Sequence, residues 1–156
     1  MHHLLASTIG LLAIFVTLSA HADPSSNIPD KVRSHILKKH PQASDMQATE
    51  ETHFGQRLLE VSFKDETGQE SLELFTMTGH MFTNELKIGN LGGMSPAAAA
   101  MLKQEFPNYT MQKAELIVNP NGVGEEYEIY LHANGGNWKI TINERGIIQE
   151  KQEINP

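Results

Sequence analysis

The second half of this chain runs parallel to its first. Pro41 and Pro107 lie 66 residues apart, with Ile36-Leu37-Lys38-Lys39-His40-Pro41 over Leu102-Lys103-Gln104-Glu105-Phe106-Pro107. Phe75-Thr76-Met77-Thr78-Gly79-His80-Met81 stands at about the same distance from Ile142-Asn143-Glu144-Arg145-Gly146-Ile147-Ile148. A fixed internal period sets architecture before any single motif does. Here it predicts two small, similar modules.

The first residues stand outside that pattern. Leu4 to Leu18 is apolar apart from Ser7, Thr8, Gly10 and Thr17 and carries no charge, and Ala20-His21-Ala22 gives a small-x-small cleavage site ahead of Asp23-Pro24. This is the pattern of a secretory signal peptide. An N-terminal membrane anchor is the alternative, but a span needs about 20 apolar residues and this run is shorter. The predicted organisation is a signal peptide over 1–22, a first repeat over 23–86, a Gly-rich connector over 87–93 and a second repeat over 94–156.

Every Lys, Arg, Asp and Glu follows the signal, so the net charge of −7 belongs to the mature chain. That balance argues against nucleic acid, whose phosphates need a basic face, and against anionic membrane surfaces once the signal is removed. The chain has no cysteine. Thiolate nucleophiles, iron–sulfur clusters and thiolate zinc sites are thereby excluded, and an exported fold of this size must rest on its packed core.

Each half opens on helical punctuation. Pro29 suits the first turn of a helix carrying Val32, Ile36 and His40 on one face, with Pro41 as its stop. In the second half Ser95 reads as an N-cap and Pro96 as the first helical residue. Ala98, Leu102 and Phe106 form the stripe. The period then changes to two. Leu59, Val61 and Phe63 alternate with Glu60, Ser62 and Lys64; Tyr127, Ile129 and Leu131 alternate with Glu128, Tyr130 and His132. Asp65-Glu66-Thr67-Gly68, Thr78-Gly79, Ala133-Asn134-Gly135-Gly136 and Arg145-Gly146 read as turns. Segments 45–51 and 110–118 are predicted first strands, and a bulge is expected near Phe75. The predicted fold class is α+β: two tandem repeats of one helix followed by a three- or four-stranded antiparallel meander, with joining into one continuous curved sheet as a variant. One sheet face would pack beneath the helices and the other would stay wet.

These corners and meanders resemble the PepSY-like domains, including the tandem form called β-lactamase-inhibitor-like. The resemblance rests on Lys39-His40-Pro41 and Glu105-Phe106-Pro107, on the alternating strands 59–63 and 127–131, and on Gly68, Gly79, Gly135 and Gly146. The chain departs from that pattern at His40, where an aromatic is usual, and at Thr76, where the family often has Asp. The resemblance implies an exported, non-catalytic module, some relatives of which inhibit or regulate peptidases and β-lactamases through the open sheet face and hairpin loops.

The candidate partner-binding residues are therefore those of the wet face, Glu60, Ser62, Lys64, Glu128, Tyr130, His132, Lys139 and Thr141, with Asp65 and Glu66 at an acidic hairpin tip. Tyr130 is the natural anchor, because aromatics are enriched at hot spots. A solvated face and a solvated turn would use the same residue types. No catalytic group, cofactor or metal site is expected. No serine occupies a nucleophile elbow. Glu50-Glu51 and Glu125-Glu126 are adjacent pairs, which on strands point to opposite faces. His35, His40, His53, His80 and His132 show no recognised metal spacing. The predicted partner is a protein, an envelope or extracellular enzyme such as a peptidase. A periplasmic small-ligand or metal carrier is the alternative, and a hydrolase a weak third.

Overall fold

The computed structural model describes residues 27–154, so the expected signal segment lies outside the described residues. In chain order they form α1 (Asp30–Lys39), β1 (Ser44–His53), β2 (Gln56–Lys64), β3 (Glu70–Thr76), β4 (Met81–Lys87), a 3-10 turn (Leu91–Gly93), α2 (Pro96–Glu105), β5 (Tyr109–Val118), β6 (Glu125–Ala133), β7 (Gly136–Asn143) and β8 (Ile148–Ile154).

Both helices are short, and local chemistry fixes their ends. Ser95 caps α2 by accepting a hydrogen bond from the Ala98 amide, satisfying one of the donors a helix start leaves free. Pro29 sits just ahead of α1 without a side-chain cap. Val32 and Ile36 of α1, and Ala98 and Leu102 of α2, are fully buried. Gly146 ties the β7–β8 turn to α2. Its φ is +77°, and a Cβ there would meet the Ala97 carbonyl oxygen at 2.7 Å, so only glycine fits that approach.

The eight strands pair antiparallel in strict chain order, β1 to β8, as one sheet. This corrects the expected fold class of two helix-plus-meander repeats. The molecule is one curled, half-barrel sheet carrying two short helices. The two halves are joined edge to edge: Glu85, Leu86 and Lys87 of β4 pair with Ile117, Leu116 and Glu115 of β5. An unpaired strand edge exposes a row of backbone donors and acceptors, and β5 supplies their partners across the predicted connector. Register slips by a residue at Leu74/Phe75, the position expected to bulge.

Residues directly opposite in a ladder share a face. On the outer face, Leu59, Val61, Phe63 and Phe75 pack with Val32 and Ile36 of α1, and Tyr127, Ile129, Leu131, Ile140 and Ile142 pack with Ala98 and Leu102 of α2. The inner face has no helix over it among the described residues. It curls upon itself: the Lys139 ammonium on β7 lies 2.6 Å from a Glu51 carboxylate oxygen on β1, six strands away in the sheet. The β1–β2 hairpin closes one end. Its turn residues Phe54 and Gly55 have φ of +52° and +71°, the pair of positive values that a two-residue hairpin of this hand demands. A bulky residue is rare there. Phe54 is held because its ring packs beside Phe82, Leu58, Leu74 and Ile117, and because its N–H donates to both Glu126 carboxylate oxygens at 3.0 Å.

Two strands remain at the borders of the sheet. β1 is kinked by a bulge between Ser44 and Gln47, with Asp45 at φ +53°. β8 carries Gln149, Glu150, Lys151, Gln152 and Glu153 in sequence, all exposed.

Candidate functional site: the inner sheet face

The strand alternation places Glu60, Ser62 and Lys64 of β2, Glu128, Tyr130 and His132 of β6, and Lys139 and Thr141 of β7 on the inner face, as their ladder partners show. The curl changes what that face is. Glu128, Lys139 and Thr141 are buried, whereas Glu60, Ser62 and Tyr130 are half-buried and Lys64 and His132 are exposed. The expected wet surface is thus a polar interior opening to solvent at one side.

At its centre the Tyr130 hydroxyl donates to Glu128 Oε1 at 2.6 Å, and Lys139 lies 3.1 Å from Glu128 Oε2. Lys113 and Lys139 stand 5.3 and 5.8 Å from the centre of the Tyr130 ring, within cation–π range. Burial, then the adjacent Glu128, pushes the Tyr130 hydroxyl well above its ordinary range. Burial pulls the Lys139 ammonium down, but Glu128 and Glu51 outweigh it and the net shift is upward. Lys113 follows the same balance, with Glu115 as its partner at 2.7 Å.

Carboxylates outnumber these cations. Burial raises the pKa of Glu85 to about 9, reinforced by Glu60, Glu115 and Glu128. Burial raises Glu60 and Glu115 as well, and in each case a neighbouring Lys113 opposes it. Desolvation disfavours the charged form, and like charges add to it. His53 sits among these groups. Its side chain is wholly buried, with Nε2 3.7 Å from Glu85 and 3.9 Å from Glu128, and Nδ1 3.6 Å from Glu126. Neither ring nitrogen makes a hydrogen bond, nor does Glu85 Oε2. Among the described residues, no group of three or more His, Cys, Asp or Glu side chains is arranged to hold a metal ion.

The acidic hairpin tip turns its charges inward on its own loop. Asp65 Oδ1 accepts from the Thr67 amide at 2.8 Å, the Thr67 hydroxyl at 2.6 Å and the Gln69 amide at 3.0 Å, and the bonds to Thr67 lead in holding its pKa below the usual range. Glu66 lies 3.2 Å from His40 Nδ1, and a backbone hydrogen bond, then His40, lowers its pKa. Lys64 reaches Asp45 at 2.6 Å, and His132 meets Asn137 at 3.0 Å. A groove of about 770 Å³ at this border is lined by Arg33, Asp45, Met46, Ser62 and Lys64 among others.

Sequence reasoning missed His53, Glu85 and Glu115 and the inward role of Glu51 and Glu126. The signal that could have found them is alternation itself: Thr49, Glu51 and His53 recur at every second residue of one strand. Glu50 and Glu125 do point to the opposite side, where they meet Arg57 and the Tyr127 hydroxyl.

No family model matches the chain, and no curated protein matches it. Solved structures do. A BLIP-like protein from Bacteroides fragilis aligns at 12% identity and TM-score 0.51, covering 85% of this chain and 92% of its own. A DUF2874 family protein from Bacteroides uniformis aligns at 13% and 0.54, covering 81% and 89%. A candidate periplasmic protein from Bacteroides eggerthii aligns at 16% and 0.56, covering 81% and 88%. Together with the eight-stranded curled sheet and its outer helices, these similarities identify a BLIP-like fold.

Proposed function

We propose that this chain is an exported, non-catalytic protein-binding module that inhibits or regulates an envelope or extracellular enzyme such as a peptidase. The observation that carries the reading is the fold shared with a BLIP-like protein, combined with an inner face that no helix covers among the described residues. The apolar run ahead of Ala22 and the likeness to a candidate periplasmic protein support a periplasmic or secreted location. The corner and glycine-turn motifs support kinship with the PepSY-like modules. Tyr130 is the proposed anchor, with Glu60, Ser62 and His132 around it, because these keep solvent access while Glu128, Lys139 and Thr141 lie beneath and hold them in place.

A photo-crosslinking residue placed at Ser62 or His132 tests this, with one at Lys103 on the outer helix as the control. The expected result is a cross-link to one envelope or extracellular enzyme from the inner-face positions alone, and loss of that enzyme's activity on titration with this protein. Cross-links of equal yield from Lys103, or a captured enzyme whose activity is unchanged, would count against it.

A further inference from the structure

We propose that the inner face receives a guanidinium group, an arginine side chain of the partner polypeptide, with Glu60 as its carboxylate receptor. This rests on the protein-binding reading above and names the partner's chemistry. The face is electrostatically incomplete. Glu51, Glu60, Glu70, Glu85, Glu115, Glu126 and Glu128 project from it, against the ammonium groups of Lys64, Lys87, Lys113 and Lys139. Lys64 is taken by Asp45 and Lys87 by Glu70. Lys139 is already shared between Glu51 and Glu128, and Lys113 is held by Glu115.

Glu60 is the open position. It is half-buried, reaches solvent, and has no hydrogen bond and no ion pair within 4 Å among the described residues. Behind it stands a second, independent sign of a missing donor. The Glu85 side chain is 1% exposed, its Oε2 has no hydrogen-bond partner, and it is close enough to Glu60, Glu115 and Glu128 to feel all three charges. His53, wholly buried, also leaves both ring nitrogens without a hydrogen bond in the same cluster. Buried polar groups are ordinarily satisfied, and a half-satisfied network is costly. One planar cation with five donors on a rigid fork answers several carboxylates at once, which a single ammonium does less well. The half-buried Tyr130 ring, already facing two lysines, offers a stacking surface for the same group.

The test is a titration of the folded mature chain with L-argininamide at low ionic strength, followed by amide NMR. The expected result is saturable binding with shifts confined to inner-face residues around Glu60 and Tyr130. Glu60→Gln weakens it about tenfold or more, while Glu153→Gln, on the exposed last strand, changes it by less than about twofold. Absence of saturable binding, or equal weakening by both substitutions, would overturn the inference by showing only the general field of an acidic protein. Should Glu60→Gln not fold, Ser62→Arg places a tethered guanidinium on the same strand face and must abolish argininamide binding; unchanged binding overturns the proposal. An enzyme cross-linked through the inner face of a protein that ignores argininamide would remove the arginine assignment and leave the protein-binding reading intact.

Discussion

The centres of the outer and inner faces of one sheet are buried to the same degree by opposite means. Val61, Phe63 and Phe75, beneath α1, are 0–1% exposed, and Glu115, Glu126 and Glu128, beneath no helix among the described residues, are 0–2% exposed. Helices cover the first set, and its side chains are apolar, so removal from water is itself the stabilising term. The second set is enclosed by the curl of the sheet and by the Phe54 hairpin. Its side chains are ionisable, so removal from water costs free energy that partners must offset. The lesson is that exposure alone does not tell which face holds a fold together. The outer face stabilises throughout, whereas on the inner face the apolar cluster of Leu58, Leu74 and Ile117 stabilises and the ionisable remainder is tolerated because Lys139, Lys113 and Tyr130 answer part of its charge.

Truncating the outer face should have the largest effect. Phe75→Ala is expected to lower stability by ~3–5 kcal/mol, read from urea unfolding. A loss below about 1 kcal/mol would break the contrast. Next comes the bridge that closes the inner face. Lys139→Ala strands Glu128 and Glu51, and a loss of ~2–3 kcal/mol is expected, below that of a fully interior pair because Glu51 keeps some contact with water.

The pH response sharpens the comparison further. Glu85, Glu60 and Glu115 have folded pKa values raised above their unfolded ones. Their favourable contribution is therefore complete below the unfolded value near 4.5 and is lost as pH climbs toward the folded value of about 9 for Glu85. Urea midpoints should fall from pH 5 to pH 9, and Glu85→Gln should flatten that decline. A midpoint that rises over this window would contradict the assignment. The smallest effect is expected from a neighbour pair. Glu50 faces out to Arg57 with its side chain 52% exposed, so Glu50→Gln should change stability by no more than ~0.5 kcal/mol, clearly less than Glu51→Gln one residue away.

How much of this could be read in advance follows from the same contrast. The alternating segments 59–63 and 127–131 lie within β2 and β6, and the Asn134-Gly135 turn has the positive φ values its residues favour. The Phe54-Gly55 turn was not legible, because phenylalanine is no turn residue and only the distant Phe82, Ile117 and Glu126 make its strained backbone tolerable. The pairing of β4 with β5, which merged the expected repeats into one sheet, is likewise a tertiary choice with no local mark. Alternation revealed that Glu128, Lys139 and Thr141 share a side. It could not reveal that β1 folds across them, since a period of two reports which residues face together and not what they face.

The kinked β1 and the charged β8 bear on the behaviour of the protein at high concentration. A flat terminal strand would template a ninth from a neighbouring molecule. Here one border is bent out of register by Asp45, and the other presents glutamates and a lysine that repel their own copies. A crowded compartment should therefore leave the molecules separate instead of zipping them into fibres.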